Sequence, residues 1–199
     1  MAPGSFGTDE QFGMLRVAIE AQLQKPMQIA VGTATEEDGG RAVAVGLAAA
    51  FARDGRRTAF VDIAKPSSGS NRGGAAPPRP LVSGVDVLSA SADVPEFLHR
   101  AKAQYEVTVI DVGVVSSSSA SLSATAAADG VVLAVVLGRP ANEVDQRLPQ
   151  LLARVRAHVL GVVTVNPEWL AHGSTSLAIG EPSAVRQVDA PRSFPAEVM

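Results

Sequence analysis

"GTATEEDGGRAVAVGLAAAF", Gly32–Phe51, is the stretch that decides the fold. Before it lies Met27–Gly32 (MQIAVG), a short apolar run that reads as a buried strand. After the turn, Gly40–Arg53 reads as an alanine-rich helix, with Gly55 placed as its stop. A strand that turns through glycines into a helix aims backbone N–H groups and the positive end of the helix dipole at one point. That arrangement can cradle phosphate groups. The glycines are present here, yet Glu36, Glu37 and Asp38 precede Gly39, and Gly40, Arg41 and Ala42 follow it.

The same rhythm continues down the chain. Arg57–Ile63 reads as a second strand, and Lys65–Pro80, rich in Pro, Gly and Ser, as a loop. Val85–Leu88 is a short strand candidate, Val94–Gln104 a helix, and Glu106–Val112 a buried strand. Val114–Ala128 gives a serine-rich loop and then a short helix. Gly130–Leu137 is a strand apolar throughout, as for burial on both faces. Ala141–Ala157 carries Val144, Leu148, Leu151, Leu152 and Val155 at helical spacing. Val159–Val165 is the last strand, and after Asn166 the pattern fails. Continuous β-branched runs separated by helices predict a three-layer α/β/α fold around a mainly parallel sheet. The expected division is an N-terminal helical segment over residues 1–26, an α/β domain over 27–166 and a Pro/Ser-rich tail over 167–199. In such sheets ligands bind where the strands end, so the residues just after each strand carry the information.

Bulk composition narrows the function classes. The chain has 199 residues and a formal net charge of −3, from 17 basic and 20 acidic residues, which offers no case for nucleic acid or anionic lipid. It contains no cysteine, which excludes disulfides, thiolate metal sites and cysteine nucleophiles. The opening MAPGSFGTDE lacks the basic and apolar regions of a secretory signal. The longest apolar runs, Ala42–Ala52 and Val131–Leu137, fall short of the ~20 residues a membrane helix needs. A cytoplasmic protein is expected, meeting a membrane only through a partner.

Several segments together carry a family resemblance. The turn and helix DGGRAVAVGLAAAFARDGRRTAFVDI, the strand end YEVTVIDVGV, and the runs ADGVVLAVVLGRP and VLGVVTVN are similar in order and spacing to the P-loop ATPases that include the partition and septum-site ATPases. Within that group the chain most resembles the bacterial tyrosine kinases (BY-kinases) of capsule and exopolysaccharide synthesis. EQFGMLRVAIEAQL resembles that family's opening helix, whose Glu-x-x-Arg-x-x-Arg pattern serves ring assembly. Glu10 and Arg16 match the pattern, and Gly13 replaces its middle arginine.

By this resemblance Gly39 keeps the turn glycine of the phosphate loop. Gly40 stands where the phosphate-binding lysine would be, and Arg41 where the magnesium-binding hydroxyl would be. Asp62 matches the first aspartate of an Asp-x-Asp pair whose second position is Ala64. Asp111 matches the magnesium-linked aspartate, and Asn166 the adenine-contacting asparagine. A carboxylate about 5 Å from a phosphate oxygen costs roughly 3 kcal/mol at an effective dielectric near 20. Glu36, Glu37 and Asp38 would therefore oppose a triphosphate if they faced it. The alternative is that they only favour the helix N-terminus. Either way the loop lacks its cation, and no bound ATP or magnesium is expected. Asp62 and Asp111 could hold a hydrated cation or be capped by backbone N–H groups.

The remaining chemistry-bearing residues give little. His99, His158 and His172 show no ligand spacing. Ser116–Ser119 has no nucleophile motif around it. Trp169 reads as an anchor for the tail, and Tyr105 is the only tyrosine. The family's tyrosine-rich acceptor tail has no counterpart in Pro167–Met199. The resemblance implies a degenerate, non-catalytic scaffold or regulator, working with a protein partner or a second copy of itself. A membrane-embedded polysaccharide co-polymerase is one such partner. Two alternatives are an active ATPase or kinase, drawing a cation from Arg41, Arg72 or a partner, and a partition-type positioning ATPase.

Overall fold

The computed structural model describes residues 8–63, 83–90, 93–172 and 177–179. Its centre is β1 (Met27–Thr33), in which every residue is buried. Apolar side chains on both faces of β1 demand a cover on each side, and the chain supplies it. Met27, Ile29 and Val31 pack under α1 (Thr8–Glu20) and α2 (Gly40–Arg53). Ala30 faces the opposite core, shared with α3 (Val94–Gln104), α4 (Ser119–Ala127) and α5 (Glu143–Arg154). The result is the expected three-layer α/β/α arrangement.

The sheet runs in the order β3 (Val85–Ser89), β2 (Thr58–Asp62), β4 (Val107–Val114), β1, β5 (Gly130–Val136), β6 (Val159–Val165), β7 (Leu177–Ile179). Neighbours among β1 to β6 pair in parallel, and β7 joins the β6 edge antiparallel. From β1 the chain crosses through α2 to β2 on one side. From β4 it crosses through α4 to β5 on the other side of β1. A crevice opens at the carboxyl ends of β1 and β4, where these two crossovers part.

α2, α3 and β6 have the bounds read from the sequence, most other strands end within a residue of it, and the larger departures have local causes. β4 continues past Val112 because a bulge lets Gly113 and Val114 pair with Gly32 and Thr33. α5 is shorter than Ala141–Ala157: Asn142 caps it by accepting the N–H groups of Val144 and Asp145 at 2.8 and 3.0 Å. Arg156, at φ 55°, turns the chain after its end. The region after Asn166 corrects the expectation that regular structure stops there. Pro167–His172 form a short helix, α6, and Leu177–Ile179 form β7. Elements this short carry no readable periodicity. The Lys65–Pro80 loop, Ala64, Arg72 and the tail beyond Ile179 lie outside the described residues. Among the described residues, no helix is long and apolar enough to cross a membrane.

α1 reaches the core through a close approach. A Cβ on Gly46 of α2 would lie 2.1–2.7 Å from the Phe12 ring, which is itself 2% exposed. Phe12, Leu15 and Ile19 join the same core as Leu47 and Phe51. Arg16 ties the other end of α1 down, donating to Asp54 at the end of α2 at 3.1 Å and pairing with Glu20.

The loop between β1 and α2 is held from within. Asp38 closes a short 3-10 turn, Glu36–Asp38, and is fully buried. One carboxylate oxygen accepts the N–H and hydroxyl of Thr35, each at 2.9 Å. The other accepts the Val136 N–H at 3.2 Å and Arg139 Nε at 2.9 Å. Arg139 then grips Asp145 with both terminal nitrogens, at 2.9 and 2.6 Å. That grip raises the Arg139 pKa and, with the Asn142 N–H, holds Asp145 below the usual carboxylate value despite partial burial. Asp38 therefore follows neither expectation for the acidic run: it is a buried tie between the first loop and the loop after β5.

An exposed helical Gly→Ala change ordinarily gains about 1 kcal/mol, but Gly46→Ala should lose about 1–2 kcal/mol in urea unfolding because Phe12 must move. Phe12→Leu in the Gly46→Ala background should recover part of that loss. Arg139→Ala should cost about 3 kcal/mol, since it strands a buried carboxylate. Because Asp145 has a lowered folded pKa, its contribution is present above the unfolded value and lost as pH falls below about 4. Asp145→Asn should flatten that acid limb in melts taken from pH 6 down to pH 2.

Candidate functional site

Strand alternation places two carboxylates side by side. Phe60 on β2 and Val109 on β4 point into the α1/α2 core, so Asp62 and Asp111, two residues further on, rise on the same face. They are also register partners across the β2–β4 ladder. Asp111 is 1% exposed, and its Oδ1 accepts the Gly113 N–H at 3.1 Å. Two like charges opposed at the end of a ladder repel one another.

The cation that meets them is Arg41, in the first turn of α2. Its Nη1 pairs with Asp62 and lies 3.5 Å from Asp111 Oδ2. The guanidinium carbon sits 5.6 Å from the centroid of the Phe60 ring, within cation–π reach. A cleft of about 340 Å³ opens beside this cluster, lined among others by Thr33, Glu36, Gly40, Arg41, Asp111 and Ser117. Arg41 is the one basic residue among the described lining.

Each expected site residue now has a place. Gly39 takes the left-handed conformation at φ 71° and begins α2. A Cβ there would lie 2.6 Å from Leu170 Cδ2 of α6, so an apolar side chain rests directly on the turn. Gly40 sits just as tightly, with its Cβ position 2.6 Å from Thr33 Cγ2. Arg41, Asp62 and Asp111 converge. Asn166 spends its side-chain oxygen on the Glu168 N–H at 3.0 Å, capping α6. Glu10 is exposed on α1, while Arg16 is engaged within the chain by Glu20 and Asp54.

Of the other residues weighed, Ser118 accepts the Ser121 N–H and starts α4, and Ser117 lines the cleft. Tyr105 lies at the opposite end of the sheet, donating to Asp86 at 3.0 Å; burial first, then Asp86, raises its pKa. The side chains of Trp169 and His172 lie outside the described residues. Among the described residues, no group of three or more His, Asp or Glu side chains is placed to hold a metal ion.

Sequence reasoning missed Arg139 and Leu170. Arg139 had a signal, since it follows a strand end in the run LGRP. Leu170 had none, because α6 was not expected.

No family model matches the chain, and no curated protein matches it in sequence. Solved structures match it in fold. The chain is similar to the chimerical protein CapA2B2, with TM-score 0.63 and 19% identity over 79% of this chain and 84% of that one. It is similar to the kinase domain of Escherichia coli tyrosine kinase ETK, with TM-score 0.60 and 16% identity over 87% of this chain and 80% of that one. A ParA family ATPase from Chlorobium tepidum TLS matches with TM-score 0.51 and 15% identity over 70% of this chain and 73% of that one. At these identities the likeness is one of fold: the chain has the three-layer architecture that bacterial tyrosine kinase domains share with ParA-type P-loop ATPases.

Proposed function

We propose that this protein is a non-catalytic relative of the P-loop ATPases, closest in kind to the BY-kinases, and acts as a scaffold or regulator. The observation that carries this reading is the engagement of Arg41. Among the described residues, the one cation lining the cleft is turned onto Asp62 and Asp111 instead of toward a phosphate. Triphosphate binding needs positive charge at the loop, and the lysine position is a glycine with no room for a Cβ. Leu170 packed on Gly39 and Asp38 tied to Arg139 give the same loop internal partners. The fold neighbours make nucleotide binding a reasonable property of the architecture, so the proposal concerns the rebuilt loop alone.

The scaffold reading is supported by what is retained, a three-layer core with α1 docked on it. Its setting in polysaccharide assembly, beside a membrane-embedded co-polymerase, rests on the resemblance to the BY-kinases. So does the expected use of Glu10 and Arg16 in assembly. Arg16 would have to leave Asp54 to reach a second copy, so Arg16→Ala tests that role through the oligomer's size in light scattering.

Nucleotide binding is the decisive test. A ligand at 100 times its dissociation constant stabilises a fold by about 2.7 kcal/mol, which moves a melting temperature by several degrees. Magnesium and ATP at millimolar concentration should leave the melting temperature unchanged; a clear rise would sink the reading. Gly40→Lys should fail to restore binding and should cost about 1–3 kcal/mol through its contact with Thr33. Thr33→Ser, which removes that methyl group, should return much of the loss.

A further inference from the structure

Asp62 and Asp111 form a carboxylate pair of the kind that holds a divalent cation, and the fold's ATP-binding relatives imply magnesium there. The residues present do not fit that ion. Magnesium takes a near-octahedral set of oxygens at short range. Here a guanidinium already stands between the two carboxylates, contacting both, and its delocalised charge would repel a second cation. The Arg41 side chain is 44% exposed, and its head is held by the two carboxylates and the Phe60 ring. Arg41 leaves the first turn of α2 beside the buried stripe Val43, Ala44 and Leu47, and its head lies over Phe60. Asp111 is held by the Gly113 N–H and is almost wholly buried, so it cannot swing away to solvent.

We infer that Arg41 is a built-in cation: it bridges the two strand-end carboxylates and offsets one of their two charges, in the place a divalent metal ion would take. The carboxylate pair persists because the arginine persists, and neither needs a nucleotide. A protein of this kind holds its cleft in one charge state whatever the magnesium concentration, whereas a metal-dependent relative would change state with it. Replacing the arginine by a neutral residue would uncover a pair of carboxylates beside Thr33 and Glu36, both of which line the cleft. That group of oxygens can take a hydrated divalent ion. The inference rests on the proposed reading of the cleft, yet the two fail on different probes: ATP with magnesium tests the first, and manganese alone tests the second.

The experiment titrates Mn²⁺ into the whole chain and into Arg41→Thr, following the loss of the free-ion signal by electron paramagnetic resonance, with melting curves in parallel. The native chain should show no saturable Mn²⁺ site, and a chelator should not alter its melting temperature. Arg41→Thr should bind one Mn²⁺ at least about tenfold more tightly than the native chain, consistent with a carboxylate site freed of its resident charge. Adding Asp111→Asn to Arg41→Thr should abolish that binding. If Arg41→Thr is poorly folded, Mn²⁺ should raise its melting temperature while leaving Arg41→Lys, which keeps a cation, unaffected. Saturable Mn²⁺ binding by the native chain at this site would overturn the inference. So would a folded Arg41→Thr that binds no ion, or an unfolded one that Mn²⁺ does not rescue.

Discussion

Two aspartates that stand opposite one another at the ends of adjacent parallel strands repel, and a cation between them removes most of the cost. At about 5 Å and an effective dielectric near 20, their repulsion is on the order of 3 kcal/mol, a large share of the ~5–15 kcal/mol that holds a domain together. Asp62 and Asp111 are in that position by register, and Asp111 is almost entirely removed from water. Arg41 resolves the conflict with an ion pair to each. The rest of the cleft is organised around that arrangement. α2 must begin at Gly40 to bring the arginine over Phe60, and the turn before it must be tight enough to start the helix there.

A second arginine, this one largely buried, does a related job nearby. Arg139, 13% exposed, joins the buried Asp38 of the first loop to Asp145 at the start of α5. In a phosphate loop the backbone is ordered around an external anion. Here the anion is internal, a carboxylate five residues after Thr33, and its partner comes from across β5. Burying such a charge is tolerable only because Thr35, Val136 and Arg139 all direct donors at it. The loop is thus ordered by the protein's own groups, with Leu170 of α6 covering the glycine at its end.

Much of the architecture was legible in the chain because it follows from local rules. Val94–Gln104, Gly40–Arg53 and Val159–Val165 have the same bounds in sequence and structure, each being a strongly patterned run with clear punctuation. α6 and β7 were not legible: one is a single capped turn and a half, and the other is three residues recruited by backbone pairing with β6. The candidate site was partly legible. Glycines in a strand-to-helix turn and aspartates at strand ends identified the cleft. The partner of Asp38 was hidden, because Arg139 is about a hundred residues away and adjacent only through the β1–β5 pairing.

What the sequence determined by itself is the layer order, the place of the cleft and the absence of a basic residue from Thr33 to Gly40, since these depend on residue type and short-range spacing. The tertiary structure alone decided what each charge does. A carboxylate or a guanidinium acts through whatever lies within a few ångströms of it, and those neighbours are brought together by crossovers and strand register that span most of the chain. Arg41 could have faced a ligand or the sheet, and Asp38 could have faced solvent or the core. The packing of α2 on β2 and β4, and of β1 beside β5, fixed both.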